Sequence, residues 1–511
     1  MINSENCQNP VYGVVGICGV VGNLISRMLM DKKFRVIGTD MSSENRCTFL
    51  YTLEDYDFPK FLKNHPESFF SDSDIIIPPP SLGEDSELFS KISEHGNDVM
   101  TVDDCLNQFK PDKPVLCVTG TNGKTTTTTL LKHICRSIDL EPTEHGFIKL
   151  QGNIDYIPPL QARLKGDVAV LETGTFGNTG DLEIMMKRCE PECGVLTNIN
   201  PDHLDKTHDF MNYARIKGEF VDFFQNKKLI INSDDPTVLG LIKNPESVIK
   251  FGVNTTTEDV GYKECWCGNE IEINETITGS GYYQCECGLK RPEPDYLAFD
   301  VEESEGRFKL KTPDSIFEVK MKLIGLHNVY NVTGAIVAAQ EYFNIPMDKI
   351  LQAVETFEGV SGRIEHLFTH EEMEVILDYG HNPAGIETVL REIKKVYETI
   401  TVVLTVSSES GEQGDVEIFD KVLKFGDFIV PASHASRIVA ETKVEEIESG
   451  KIVLTSESMV KFDKTGTLGA SSDQVLDGMK TGLKCKSSAL ICLGEAAFKY
   501  KKSILELKQC L

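Results

Sequence analysis

The stretch "CVTGTNGKTTTTTLL", residues 117–131, decides how this chain folds around a ligand. Its apolar start is typical of a strand, a glycine-containing turn follows, and a lysine and threonines then begin a helix. Such a turn points backbone N–H groups inward and the helix N-terminus adds partial positive charge, so a triphosphate can bind there. The usual P-loop needs a glycine where this chain has Val118. The alternative interpretation is a threonine-capped helix after a tight turn.

The turn predicts a nucleotide-binding loop in spite of its shortness. In such a loop Lys124 reaches the β- and γ-phosphates of ATP, and the Thr125 hydroxyl coordinates Mg²⁺. The residues expected to bind the phosphates are Gly120, Thr121, Asn122, Gly123, Lys124, Thr125 and Thr126.

The chain of 511 residues is too long for one hydrophobic core, and short strands alternate with helices along most of it. This alternation predicts parallel sheets with crossover helices, hence an α/β protein of three domains. We expect a Rossmann-like N-terminal domain over residues 1–110, a central P-loop domain over 111–358 and a Rossmann-like C-terminal domain over 359–511. A cysteine-bearing insert, residues 261–290, interrupts the central domain.

Composition excludes several partners. A formal net charge of −27 disfavours nucleic acid, because Lys and Arg supply most of the affinity for that polymer. There is no stretch of about 20 apolar residues, so membrane insertion is not expected. The fifteen cysteines are mostly scattered, as in a reducing compartment, and a cytoplasmic location is predicted.

The loop "TGTNGKTT" resembles that of the Mur ligase family, the ATP-dependent enzymes that add amino acids to cell-wall peptide precursors. Further segments resemble the family's motifs in the family's order, and this order makes coincidence negligible. The segments are "LETGTFG", "TNINPDHLD", "MNYARIKGEF", "INSDDP", "GLHNVYN", "GVSGRIEHL" and "LDYGHNPAG". The resemblance covers nearly the whole chain.

The resemblance implies roles for particular side chains. Two Mg²⁺ ions would be held by Thr125, Glu172, His203 and a carbamylated Lys217. The catalytic residues would be Lys124, Glu172, His203 and Lys217. The adenine would lie against Asn328 and Asn331, and the C-terminal domain would contribute Arg363, Asp378 and His381. Taken singly, each has a plainer interpretation: a loop histidine, a solvated lysine, a helix cap or an ion-pair partner.

The first domain carries "GICGVVG", with Gly16, Gly19 and Gly22 after a strand and Asp40 closing the next strand. This spacing differs from the dinucleotide fingerprint G-x-G-x-x-G, and such a turn can simply pack a helix on a strand. Within the resemblance, the turn is similar to the UDP-diphosphate cradle of the MurC and MurD types. "QGNID" resembles their substrate loop and adds Asn153, so a UDP-linked substrate is expected.

Cys265, Cys267, Cys285 and Cys287 form two C-x-C pairs, each followed by glycine, on either side of a predicted hairpin. Four thiolates suit tetrahedral Zn²⁺, and a site with four protein ligands is structural rather than catalytic. The insert therefore predicts a zinc-ribbon-like site. The alternative is four free thiols on a hairpin.

The leading hypothesis is an ATP-dependent ligase that joins a free amino acid to a UDP-linked amino acid or peptide. An acyl-phosphate would form, and ADP and phosphate would be released. The atypical segment "VSSESGEQGD", the insert and the acidity resemble the archaeal pseudomurein peptide ligases, and a monomer is expected. One alternative is a MurT-like subunit that receives ammonia from a glutaminase, and another is an NAD-dependent oxidoreductase. The amino acid that is added and the precursor stay open.

Overall fold

The computed structural model describes residues 10–83, 85–147, 152–153, 155–175, 177–201, 210–255, 259–408, 411–455 and 469–508. They form two compact units. The first unit takes the described residues within 1–118, 135–175 and 180–194, and the second takes those within 119–134, 176–179 and 195–511.

The first unit begins with the predicted parallel sheet. Five strands lie in the order β3-β2-β1-β4-β5, and all of their pairings are parallel. The central strand β1 is fully buried because both faces are covered. The elements are β1 (Val11–Val15), α1 (Val20–Asp31), β2 (Arg35–Asp40), β3 (Lys60–Leu62), α2 (Glu67–Ser71), β4 (Ile75–Ile77), α3 (Glu87–His95), β5 (Asp98–Val99) and α4 (Val102–Gln108).

A disulfide joins Cys18, in the turn between β1 and α1, to Cys47. Both cysteines are almost fully buried. The sequence analysis does not predict this pair, because 29 residues separate the two cysteines and nothing in their spacing marks them as neighbours.

The elements of the central region follow in chain order. They are β6 (Val115–Thr119), α5 (Lys124–Arg136), α6 (Ile157–Gln161), β7 (Ala169–Glu172), α7 (Asp181–Cys189), β8 (Cys193–Leu196), α8 (Phe210–Phe223), β9 (Lys228–Asn232), α9 (Pro236–Gly240), β10 (Ile249–Val253), β11 (Val260–Glu264), β12 (Glu270–Ile277), β13 (Ser280–Tyr283), β14 (Tyr296–Glu302), β15 (Arg307–Lys311), β16 (Ile316–Lys320), α10 (Leu326–Glu341) and α11 (Met347–Thr356). In the first unit β6 pairs with β7 in parallel.

The second unit holds the other strands of this region. Five of them lie in the order β16-β15-β14-β10-β9, and the pairings β14–β15 and β15–β16 are antiparallel. Helix α10 is buried almost throughout, as its apolar run "NVTGAIVAA" predicts. The cysteine-bearing insert forms a separate antiparallel sheet, β11-β12-β13, with the predicted hairpin between β12 and β13.

The C-terminal region of the second unit is a further α/β sheet in the order β17-β18-β21-β19-β20, with only β17 antiparallel. The segments "EVILDYG", "TITVVLTV", "FGDFIV" and "ALICLG" contain β18 to β21. The elements are β17 (Glu365–His370), β18 (Met373–Asp378), α12 (Pro383–Val396), β19 (Ile400–Leu404), α13 (Gly411–Phe425), β20 (Phe428–Pro431), α14 (His434–Ala440), α15 (Val444–Glu448), α16 (Ser472–Leu483), β21 (Ala489–Leu493), α17 (Glu495–Lys499) and α18 (Lys501–Leu507).

The α/β fold class is therefore confirmed, whereas the boundaries at residues 110 and 358 stay a prediction. Within the described part of the chain, none of the helices combines the length and the apolar character that a membrane crossing needs.

Arg163 is the largest fully buried side chain of the first unit, and its guanidinium bonds backbone carbonyl groups. It donates to the oxygens of Leu106, Phe109 and Pro159 and pairs with Glu190.

Arg163→Ala would leave these buried acceptors without a donor. We expect the free energy of unfolding to fall by about 2–4 kcal/mol in denaturant titrations.

The matched control is Lys165→Ala, because Lys165 is exposed two residues further along the chain. It should change the free energy of unfolding by less than about 0.5 kcal/mol. Equal stability of the two variants would contradict the structural role of Arg163.

Candidate active site

The loop between β6 and α5 has room only for glycine at two positions. Gly120 has φ +146°, and a Cβ added there would lie 2.0 Å from Thr197 Oγ1. Gly123 has φ +84°, and a Cβ there would lie 2.1 Å from Asn331 Oδ1. Both the backbone conformation and the close neighbours therefore require glycine.

Two asparagines beyond β8 hold the loop in place. Asn198 accepts from the Thr121 N–H through its carbonyl and from the Asn122 N–H through Oδ1, each at 2.9 Å. The Thr121 hydroxyl meets the backbone N–H of Asn200 at 3.0 Å. The sequence analysis assigns no role to Asn198 or Asn200, although both belong to the "TNINPDHLD" motif.

Two lysine amines converge on the loop. Lys124 Nζ donates to the carbonyl oxygens of Gly120 at 2.9 Å and Thr121 at 2.8 Å. Lys217 on α8 is only 2 % exposed, and its Nζ lies 3.4 Å from the same Gly120 oxygen. Lys124 therefore places positive charge at the loop, as binding of a polyphosphate requires.

A cavity opens beside the loop and brings together most of the predicted nucleotide-binding residues. Those that line it are Asn122, Gly123, Thr125, Thr126, Asn328, Asn331, Arg363 and Asp378. The predicted Gly120, Thr121 and Lys124 belong to the loop itself. These residues come from the central and C-terminal regions, which are far apart in the sequence.

The C-terminal side of the cavity is built around Asp378 at the end of β18. Its carboxylate accepts from the backbone N–H groups of Ile364 at 2.8 Å and Gly380 at 2.7 Å. Burial raises the pKa of Asp378, and the nearby Arg363 guanidinium opposes that rise. Asn382, which sequence reasoning missed, caps α12 and exchanges amide hydrogen bonds with Asn122 of the loop.

His327 is a second residue of the cavity wall that sequence reasoning missed. Burial lowers the pKa of His327 to about 4, so the imidazole is neutral near pH 7. Its Nδ1 is buried and has no hydrogen-bond partner among the described residues. His327 stands in the "GLHNVYN" motif. Its buried ring nitrogen in the cavity wall is visible only in the structure, so the sequence alone could not assign it a role.

The other predicted metal ligands are placed as follows. Glu172 ends β7 in the first unit, where its Oε1 accepts from Asn153 Nδ2 at 2.8 Å. This contact joins a predicted magnesium ligand to a predicted substrate-binding residue. His203 lies outside the described residues.

The N-terminal turn has the expected shape. Gly16 has φ +81°, and a Cβ on Gly22 would lie 2.4 Å from the Gly16 oxygen, so Gly22 lets α1 pack closely on β1. Asp40 accepts from the N–H groups of Cys18 at 2.9 Å and Ser42 at 2.7 Å. Gly19 is the N-cap of α1. The role of these residues toward UDP stays a prediction.

The four cysteines of the insert lie together, with all of their sulfur atoms within 4.8 Å of one another. Cys265 Sγ is 3.7 Å from Cys287 Sγ, and Cys267 Sγ is 3.6 Å from Cys285 Sγ. Thiolates about 2.3 Å from one tetrahedral Zn²⁺ lie about 3.8 Å apart. The cluster therefore has the dimensions of a metal site.

Comparison with known proteins agrees with this geometry. Residues 118–289 match the Mur ligase middle domain. A pseudomurein peptide ligase type C from Methanothermus fervidus is 34% identical, and the alignment covers 98% of this chain and 99% of that one with a TM-score of 0.84. A UDP-N-acetylmuramate–L-alanine ligase from Clostridium perfringens is 27% identical over 76% of this chain and 75% of its own length. A UDP-N-acetylmuramate–alanine ligase from Thermotoga maritima, at 17% identity and a TM-score of 0.59 over 98% of this chain and 99% of that one, shares the fold.

The fold and the loop define an ATP-dependent ligase that forms amide bonds. The chain belongs to the Mur ligase family, and it has that family's three-domain architecture. Members of this family use ATP and Mg²⁺.

Gly123→Ala tests the loop geometry. The added methyl group would collide with Asn331 Oδ1 and strain the backbone, so we expect ADP to bind at least about tenfold more weakly in calorimetric titration. Gly450→Ala is the matched control, because Gly450 has φ +80° and a Cβ there meets no atom within 4 Å. Unchanged ADP affinity in Gly123→Ala would refute the tight fit.

Proposed function

We propose that the chain joins an amino acid to the carboxylate of a UDP-linked amino acid or peptide precursor of a pseudomurein-type cell wall. ATP phosphorylates the carboxylate, the amine of the incoming amino acid attacks the acyl-phosphate, and phosphate leaves. ADP and phosphate are the other products. The pseudomurein branch is supported by the 34% identity to the Methanothermus fervidus ligase over almost the whole chain.

The single observation that carries the ATP-dependent step is the position of Lys124, whose Nζ donates to the loop carbonyls of Gly120 and Thr121. An anionic carboxylate must approach an anionic γ-phosphate, and this repulsion opposes the reaction. Fixed positive charge at the point where negative charge develops lowers the barrier by several kcal/mol. Lys124 is the group that this account assigns to the phosphates.

The proposed magnesium ligands have suitable chemistry. The Thr125 hydroxyl and the Glu172 carboxylate are hard oxygen donors, and His203 completes the proposed set. Mg²⁺ would supply charge neutralisation for the phosphates. Lys217 can join this set only as a carbamate, which forms when its neutral amine adds CO₂ and releases a proton. Lys217 is buried, at 2 % exposed, and its Nζ lies 3.4 Å from the Gly120 oxygen of the loop.

The precursor's UDP group would bind the first unit through the Gly16–Gly19–Gly22 turn, Asp40 and Asn153. The hydrogen bond from Asn153 to Glu172 supports this assignment, because it joins the substrate loop to a proposed metal ligand. We further propose one structural Zn²⁺ on the four cysteines, a cytoplasmic location and a monomer.

The two alternatives are disfavoured by the same observations. A MurT-like subunit would lack the complete N-terminal sheet, which is present here. An NAD-dependent oxidoreductase would leave the glycine loop and its lysines unused. Dependence of turnover on a glutaminase would favour the first alternative, and binding of NAD would favour the second.

The direct test is a panel of UDP-linked amino acids and peptides, supplied with ATP, Mg²⁺ and candidate amino acids. Mass spectrometry reads the ligated product, and coupled assays distinguish ADP and phosphate from AMP.

Lys124→Ala should lower kcat about 100–1000-fold because the phosphates lose a fixed cation. Lys349→Ala, an exposed lysine on α11, is the control. Formation of AMP, or full turnover in Lys124→Ala, would contradict the proposal.

Lys217 gives a separate prediction. Lys217→Ala and Lys217→Arg should both be nearly inactive, because neither side chain can form a carbamate. Added formate or acetate should restore part of the activity of Lys217→Ala by placing a carboxylate in the space, but should not rescue the bulkier arginine variant. Lys243→Ala, on the surface beside α8, controls for lost charge. If Lys217→Ala turned over at the wild-type rate without added formate or acetate, no carbamate would be needed.

A further inference from the structure

The hairpin β12–β13 extends from the cysteine cluster to the nucleotide cavity. Cys265 and Cys267 precede β12, whose eight residues span about 25 Å. At the other end the tip residues Ile277 and Thr278 line the cavity beside the loop. The insert is therefore part of the cavity wall as well as a candidate metal site.

The tip contacts the phosphate loop through one residue. Asn200 donates from its backbone N–H to the Thr121 hydroxyl at 3.0 Å, and its side-chain Nδ2 donates to the Thr278 oxygen at 3.4 Å. The contact is close: a Cβ on Gly279 would lie 2.4 Å from Asn200 Oδ1 and 2.6 Å from Lys263 Cε. A displacement of the tip would move Asn200, and Asn200 contacts the loop.

The outer strands of the insert are anchored two residues away from the cysteines. On β11, Lys263 Nζ donates to the Ile199 oxygen and to Asp235 Oδ1, each at 2.8 Å, and both groups are buried. On β13, the Tyr283 hydroxyl donates to the Ser233 oxygen at 3.0 Å. Ile199 directly precedes Asn200, so the β11 anchor and the tip act on the same segment.

The cysteine cluster lies at the end of the three-stranded sheet that carries these anchors. Strands β11 and β13 lie on opposite sides of β12, and one pair of cysteines follows each of them. The β12–β13 register shifts between Glu275 and Ile277, close to the tip. An ion held by all four sulfurs would fix the ends of both outer strands relative to each other, and hence the tip.

We propose that the insert is a positioning element of the nucleotide site, and that metal binding by the four cysteines and nucleotide binding in the cavity are thermodynamically coupled through the hairpin tip. The inference rests on the proposed nucleotide site. Coupling is reciprocal, so metal must tighten nucleotide binding by the same factor by which nucleotide tightens metal binding.

The experiment measures ADP affinity of the full chain in excess Mg²⁺, loaded with Zn²⁺ and after removal of Zn²⁺ by pyridylazoresorcinol under reducing conditions. The loaded chain should contain about one Zn²⁺ and bind ADP at least about fivefold more tightly than the stripped chain. In the reciprocal measurement, saturating ADP should raise the affinity for Zn²⁺ by the same factor. Circular dichroism checks that the stripped chain keeps its fold.

Gly279→Ala keeps all four cysteines and tests the tip in the loaded protein, whatever the stripped chain does. This variant should retain Zn²⁺ and bind ADP about fivefold more weakly than wild type. Removal of Zn²⁺ should then change its ADP affinity by less than about twofold. Glu272→Gln, an exposed position on β12, should behave as wild type.

The outcomes separate the two proposals. A loaded chain that does not bind ADP would overturn the proposed function and the inference together. ADP binding of equal strength in loaded and stripped wild type, or in Gly279→Ala and wild type, would overturn the inference alone. Absence of bound Zn²⁺ from a fully folded chain would overturn the metal site and the coupling, and leave the ATP-dependent step standing.

Discussion

The structure of the site depends on how closely the loop between β6 and α5 packs against its surroundings. Thr197 and Asn331 occupy the places where side chains at positions 120 and 123 would lie. Asn331 belongs to α10 and Thr197 follows β8, so the loop conformation is tied to two elements of the central core. The conformation of the loop is thus set by the packing of the surrounding core.

This packing has an electrostatic consequence. The chain as a whole is strongly acidic, with a formal net charge of −27, yet the Lys124 amine donates to two carbonyls of the loop. The buried Asp378 lines the same cavity, and the backbone N–H groups of Ile364 and Gly380 satisfy its carboxylate. Positive charge is therefore concentrated at the loop, where a polyphosphate needs it, and is not a property of the general surface.

Much of this arrangement could be predicted from the sequence. The α/β alternation gave the strands of the N-terminal and C-terminal sheets, and the glycine–lysine–threonine pattern gave the loop, because local spacing determines both. The roles of Asn198, Asn382 and His327 could not be predicted, because ordinary residues acquire them only when distant segments meet. The same is true of the Cys18–Cys47 pair and of Arg163, whose acceptors lie on separate segments.

The central claim is that the loop holds ATP so that its terminal phosphoryl group is transferred to a carboxylate. The most direct measurement uses a precursor whose carboxyl group carries ¹⁸O. An acyl-phosphate route transfers one labelled oxygen to the phosphate that leaves when the amine attacks. We predict ¹⁸O in the released phosphate at the labelling level of the carboxyl group; unlabelled phosphate released alongside the ligated product would contradict the account.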